Sequence, residues 1–276
     1  MKTFLALAIT LVSALPLRAA NLLSTFSCSR PATEHDAGTL FNVGLACKII
    51  NGQVVPAGAT FSFNHCLEKS GAHFEEGRSI LDGHYVYTHG GGYCQVSTAL
   101  YNAALLANLP VVERYPHSLY DPADAYVPAG EDASVSRYHG ADFRFVNDTP
   151  HAITISTRQV GKEVVAEIWG RARTRKRWIT TKILKVTPMR TLVRVSPALA
   201  PGRQELKREG FQGLRVQRFI HWIDDKGDTR SASLGIDRYN MISRILLEGP
   251  PAAVTSTASA MASGVSPTSG TGLGGR

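Results

Sequence analysis

The 276-residue chain carries 30 Lys and Arg against 22 Asp and Glu, a formal charge of +8, with 43% hydrophobic residues and four cysteines. Its length suits one domain with a smaller appendage, or two small domains. No two of Cys28, Cys47, Cys66 and Cys94 stand in CxxC spacing, which excludes a thioredoxin-like redox protein, and nothing after residue 20 is apolar for long enough to span a bilayer.

Met1 and Lys2 give a positive start, Thr3 to Leu17 is an apolar run, and Arg18-Ala19-Ala20 supplies small residues before Asn21. This layout predicts a cleaved signal peptide over residues 1–20, and so a secreted or periplasmic protein. In that oxidising setting an even cysteine count suggests disulfides; if Cys94 is kept as a free thiol, at most one bridge forms among Cys28, Cys47 and Cys66.

From Glu34 to Asn51, Leu40, Val43, Cys47 and Ile50 form one apolar stripe, which predicts a helix stopped by Asn51-Gly52. Thr60 to Phe63 alternates and reads as a strand. Tyr85 to Tyr87 reads as a strand running into Gly90-Gly91-Gly92. A second helix follows, with Val96, Ala99, Leu100, Ala103, Leu106 and Ala107 on its apolar face, ended by Asn108 and Pro110. Strands are predicted at Val111–Tyr115 and Asp142–Asn147. Hairpins are predicted around Val160-Gly161-Lys162 and around Asp225-Lys226-Gly227, with a last strand from Tyr239 to Leu247. The expected class is α+β: two main helices with a mostly antiparallel sheet, then a small β-rich C-terminal appendage over residues 171–249. Residues 250–276, rich in Ala, Ser, Thr, Gly and Pro, read as a disordered tail.

Arg158 to Arg218 holds sixteen Lys or Arg and four Glu, densest at Arg171–Arg177. An export signal sets nucleic acid aside. Anionic wall or envelope polymers are the remaining partners for that run, and a solvated basic linker is the plainer alternative.

The chemistry centres on Cys94. A strand ends, three glycines permit a tight turn, and a helix begins at the cysteine. Helix-first amides lack internal partners and carry partial positive charge, so a thiol there ionises readily. The amides of Cys94, Gln95 and Val96 are candidates to hold an oxyanion, and Gly90, Gly91 and Gly92 leave room for a substrate backbone. His117, at a strand end, is the candidate base, and Asp132 the candidate group orienting it. Arg114 is placed to bind a substrate carboxylate or to make a surface ion pair. His84, His89, Cys94 and His117 match no standard zinc spacing, so neither metal nor cofactor is expected. From residue chemistry alone, a glycine turn with a structural cysteine stays open as the alternative.

The strings Pro56–Asn64 and Gly90–Ala104 resemble the VanW-like family. Arg114 with His117-Ser118, Gly130-Glu131-Asp132-Ala133, and Asp142-Phe143-Arg144-Phe145 with Asn147 continue the likeness. The resemblance runs from about Phe26 to Trp169 and implies a VanW-like domain over residues 21–170. Residues 171–249 faintly resemble the G5-type modules that often follow it. The family is named from vancomycin-resistance clusters, and the resemblance implies a cell-wall protein. Its members are similar to a class of L,D-transpeptidases whose cysteine forms the acyl-enzyme. Carried over, this makes Cys94 the nucleophile and His117 the base of a thiol acyltransferase acting on peptidoglycan stem peptides. A non-catalytic peptidoglycan-binding accessory protein is the alternative from another class. A wall peptidase or amidase resolved by water is the third.

Overall fold

The computed structural model describes residues 20–31, 37–81, 83–171 and 175–251. The expected leader up to residue 19, the tail from residue 252 and the middle of the basic run, residues 172–174, lie outside the described residues.

In chain order the elements are β1 (Asn21–Ser29), α1 (Ala37–Ile50), β2 (Val54–Val55), β3 (Thr60–Ser62), α2 (Phe63–Ser70), β4 (Glu76–Leu81), β5 (His84–His89), α3 (Cys94–Leu106), β6 (Val111–Glu113), β7 (Arg144–Val146), β8 (Ile153–Val160) and β9 (Glu163–Gly170). Six further strands follow: β10 (Arg177–Thr187), β11 (Thr191–Val195), β12 (Gln204–Arg208), β13 (Gly213–Ile223), β14 (Thr229–Tyr239) and β15 (Arg244–Glu248). The class is mixed α+β.

The first sheet runs β1-β9-β8-β2, antiparallel throughout. Its inner face presents Ile153, Ile155, Val164, Ala166 and Ile168, all fully buried. A strand residue shows one face to a partner and the next to the other side, so this alternation lays the sheet against α1 and α3. α1 packs on β8, and α3 packs on β1 and β9. Each large apolar side chain so buried contributes about 1.5–3 kcal/mol. Phe61, Phe63, Phe143 and Phe145 close the other end of the core, with Phe61 and Phe145 stacked at 5.0 Å.

Three helices stand among the described residues where two main ones are expected. The extra one, α2, begins where a strand was read through Phe63. The Ser62 side chain accepts from the His65 amide and so caps a helix start, and Gly71, at φ +63, ends it in the left-handed region. β1, which pairs along β9, also goes beyond the elements expected from the sequence.

The C-terminal region builds two small sheets, β10-β13-β14 and β11-β15-β12. β11 pairs parallel to β15, the one departure from antiparallel pairing among the described strands. β11 and β12 are exposed on both faces apart from Arg208. A strand wetted on both sides has no reason to alternate, which is why neither is legible as a strand from hydropathy. Of the basic run, Arg175 is paired with Asp225 (2.7 Å) and Arg177 stacks over Trp222 (5.5 Å).

Candidate active site

The glycine turn is placed by α1 and β4. α1 turns polar residues inward among its buried positions. Asn42 donates to the carbonyls of Glu75 (2.8 Å) and Gly91 (3.0 Å), and Thr39 accepts from the Arg78 amide (2.8 Å). Gly91 lies so close to the Gly77 carbonyl that a β-carbon would overlap it. Gly90 and Gly92 have φ of +87° and +104°, a region side chains avoid. The triplet thus folds flat onto the hairpin and delivers Cys94 at the first position of α3.

α3 also carries the means to hold the opposite wall. Ser97 donates to the Ala133 carbonyl (2.6 Å), Thr98 accepts from the Ala133 amide (2.9 Å), and Asn102 donates to the Glu131 carbonyl (2.8 Å). These polar side chains, one to two turns beyond the cysteine, stitch the Glu131–Ala133 segment to the helix that bears the sulfur. The distance from Cys94 to Asp132 is thereby set by one rigid element.

Cys94, His117 and Asp132, up to 38 positions apart along the chain, meet in one cleft. The Cys94 sulfur lies 3.4 Å from the Val135 carbonyl, with the His117 ring as its main electrostatic partner. His117 Nδ1 sits 2.6 Å from Asp132 Oδ2, and the His117 amide donates to that same oxygen at 2.7 Å. With Nδ1 committed to the carboxylate, Nε2 is the ring nitrogen left for the sulfur. Asp132 Oδ1 accepts from the Tyr239 hydroxyl (2.5 Å) and from Arg114 Nη2 (3.2 Å).

The electrostatics follow from these contacts. Burial alone would raise the Cys94 pKa, but the His117 hydrogen bond and charge, helped by Arg30, bring it below the ordinary thiol value. Burial opposes charge on His117 too, yet Asp132 and the sulfur push it up to about 10. Asp132, despite burial, is held well below the usual carboxylate range by His117, Arg114 and Tyr239. These directions favour a thiolate–imidazolium pair backed by a carboxylate. Cys28, Cys47 and Cys66 differ in kind. Burial pushes their thiols to about 12, 12 and 11. All four cysteines are free, so the one bridge left open among the other three is not formed.

A cleft of about 730 Å³ opens onto the sulfur. β4 and β5 form one wall, and the Tyr115–Val127 segment the other. The rim is tied across by Tyr85, whose hydroxyl donates to Asp121 (2.6 Å), and by Arg78, which stacks on Tyr85 (3.7 Å) and lies 3.7 Å from Asp124.

The residues expected to bind substrate divide. Gly90 and Gly92 line the cleft. Gly91 does not, being pressed on Gly77. Gln95 is 1% exposed and spends its amide on the Cys28 and Lys162 carbonyls and on Arg30, so it belongs to the framework. Arg114 makes no surface pair and reaches no cleft: its side chain is 5% exposed and engages Asp132 and Asp237. The expected oxyanion amides are also corrected. Gln95 N–H and Val96 N–H already donate to Gly92 and Tyr93, because the backbone enters the helix one turn early, with Tyr93 itself helical (φ −65°, ψ −14°). Among the described residues only the Cys94 amide of those three is left without a backbone acceptor.

Sequence reasoning missed Arg30, buried at the end of β1. It donates to Gln95 (3.0 Å) and Gly92 (3.2 Å), stacks over Tyr126 and lines the cleft beside the sulfur. It also missed Asp237 and Tyr239. No spacing signal ties any of them to Cys94. His84 and His89 stand apart from the triad: His84 faces Arg208 (3.3 Å), and His89 bonds the Phe74 carbonyl (3.0 Å) on the cleft wall. Among the described residues no three His, Cys, Asp or Glu converge as metal ligands, and no helix is long and apolar enough to cross a membrane.

Two solved G5 domains show a partial likeness to this chain. HP0197-G5 is 25% identical, with TM-score 0.18, over 28% of this chain and 96% of its own. The G5 domain of an IgA1 protease is 17% identical, with TM-score 0.21, over 30% and 99%. The uncharacterized protein YoaR of Bacillus subtilis is 36% identical over 146 residues, 52% of this chain and 45% of the relative. The Vancomycin B-type resistance protein VanW of Enterococcus faecalis is 25% identical over 134 residues, 47% of this chain and 48% of the relative. The chain thus spans about half the length of the curated relatives it matches. The family described as VanW like protein matches residues 39–169, so the segment that contains Cys94, His117 and Asp132 is a VanW-like domain.

Proposed function

We propose that this chain is a cysteine-dependent acyltransferase of the L,D-transpeptidase type, acting on peptidoglycan stem peptides in the cell envelope. The observation that carries the reading is that Cys94, the His117 ring and Asp132 line one open cleft, with Asp132 holding His117 Nδ1 at 2.6 Å and His117 acting on the sulfur. A thiol kept only for structure gains nothing from an imidazolium partner and a buried carboxylate behind it.

The thiolate of Cys94 attacks the carbonyl carbon of the third stem residue. The oxyanion that forms faces the Cys94 amide at the positive end of α3. As the tetrahedral species collapses, the C–N bond to the fourth residue breaks and His117 delivers its Nε2 proton to the departing amine. A thioester remains on Cys94. The side-chain amine of a diamino acid on a neighbouring strand then attacks the thioester, His117 takes the amine proton, and the sulfur leaves as thiolate. Asp132 keeps Nδ1 protonated throughout and stabilises the imidazolium.

Water in place of the amine would make the same site a peptidase or amidase. Muropeptide mass spectrometry on walls treated with the full chain separates the two. The proposal expects 3–3 cross-links that disappear with Cys94→Ala. Equal cross-links with both proteins would sink it, and release of tripeptide stems without cross-links would favour hydrolysis. Exposed Lys182, Lys185, Arg194 and Lys207 on the C-terminal strands are suited to anionic wall polymers, a role that the transfer step does not require.

A further inference from the structure

We propose that the C-terminal sheet completes the active site, with Tyr239 as a positioning residue for Asp132 and Asp237 acting to the same end through Arg114. For its kinetic consequence the inference rests on the acyltransferase reading above. Tyr239 and Asp237 lie on β14, beyond the family-matched segment, and neither lines the cleft. Any effect of theirs on chemistry must therefore pass through Asp132.

The Tyr239 hydroxyl has its direction fixed. Its oxygen accepts from the Gly130 amide at 2.6 Å, so its proton points to Asp132 Oδ1, 2.5 Å away. Arg114 reinforces the arrangement. Its Nε donates to the Asp132 carbonyl at 2.6 Å, Nη2 reaches both that carbonyl and Oδ1, and Nη1 is anchored on Asp237 Oδ2 at 2.6 Å. Asp237 Oδ2 also lies 3.1 Å from Arg218 Nε, and Arg218 Nη1 donates to Tyr101 on α3 at 2.5 Å. One carboxylate oxygen of Asp132 is thus held from the C-terminal sheet while the other holds His117.

Gly130 shows that the contact is built for close approach. It has φ +97°, and the side chains of Arg218, Val216 and Thr181 stand 3.1–3.2 Å from where its β-carbon would be. The turn that carries Asp132 lies directly on the β10-β13-β14 sheet. A carboxylate with Oδ1 unheld can rotate away from the imidazole, and the imidazolium then loses its partner.

The test is Tyr239→Phe in the full chain, followed by site-resolved alkylation of Cys94 with iodoacetamide across pH and by steady-state kinetics on a tetrapeptide stem. The expected result is a thiol titration moved up by about one pH unit, with kcat lower by roughly tenfold and KM little changed. A purely structural role would lower the melting temperature and leave both unchanged in the folded fraction. A folded variant whose alkylation profile superimposes on wild type, or moves to lower pH, overturns the proposal. p-Aminophenylalanine at position 239 restores a donor on the same ring and is expected to bring the profile back. If Tyr239→Phe fails to fold, Asp237→Asn, which loosens Arg114 from the same carboxylate, takes its place: a thiol titration moved up supports positioning, and a wild-type profile counts against it. Cys94→Ala keeps the two readings apart. Should it retain full activity, the acyltransferase reading fails, while the alkylation profile still judges Tyr239.

Discussion

Asp132 Oδ2 accepts from His117 twice, from the ring Nδ1 at 2.6 Å and from the backbone amide at 2.7 Å. The carboxylate therefore fixes both where the histidine sits in the chain and how its ring is turned. This double hold makes the site's chemistry sensitive to one side chain.

Asp132→Asn removes the charge that sustains the imidazolium and allows the ring to take the wrong tautomer. Removing the corresponding carboxylate in a serine–histidine–aspartate triad costs about 10⁴ in kcat. A loss of roughly 10²–10⁴ is expected here, measured on a stem-peptide substrate. The Cys94 titration should move upward in the same protein, read by alkylation rate against pH. Retention of more than a third of the activity would contradict the role.

The pH dependence of stability has a sign that follows from the shifts. The pKa of Asp132 is depressed in the folded chain, so its contribution is complete above the ordinary carboxylate value and is lost as pH falls below it. A paired aspartate of this kind contributes about 2 kcal/mol through that linkage. His117 is raised to about 10, so its contribution is complete below the ordinary imidazole value and drains away as pH rises through about 10. Urea midpoints taken from pH 2 to 11 should plateau in between. The acid limb should be shallower in Asp132→Asn.

Gly91→Ala tests the seat of the glycine turn. Its backbone needs no positive φ, so the cost is steric, against the Gly77 carbonyl rather than a flexible side chain. Overpacking of this sort costs about 1–3 kcal/mol. The expected result is a lower midpoint in urea together with a weakened site, because α3 is displaced with its cysteine. An unchanged midpoint would mean that the hairpin yields easily.

Gln95→Ala separates framework from recognition. The buried amide joins β1 to α3 and satisfies the Cys28 and Lys162 carbonyls. The Lys162 carbonyl keeps the Arg30 amide, so the cost is that of the lost buried hydrogen bonds, about 1–3 kcal/mol. Denaturation should show that loss, with KM for the stem peptide nearly unchanged. A large rise in KM at unchanged stability would restore Gln95 to the substrate-binding set.

The amino-acid order alone determined a good deal. Three glycines before a cysteine and an apolar helix leave few ways to fold, since positive φ and close approach are open only to glycine. The 3.6-residue stripe gave α3, and period-two runs at residues 152–169 and 214–234 gave the two hairpins, because burial on one face writes itself into hydropathy. Cys94, His117 and Asp132 could be named from the family resemblance and from their places at element ends. Tertiary structure alone decided which polar residues face the cleft and which brace it. Gln95 and Arg114 carry chemistry suited to either role, and only packing assigns them to the frame. Arg30, Asp237 and Tyr239 were beyond reach because hydrogen bonds and charge act through space, and a contact spanning 107 positions, as between Tyr239 and Asp132, leaves no periodic trace in the chain.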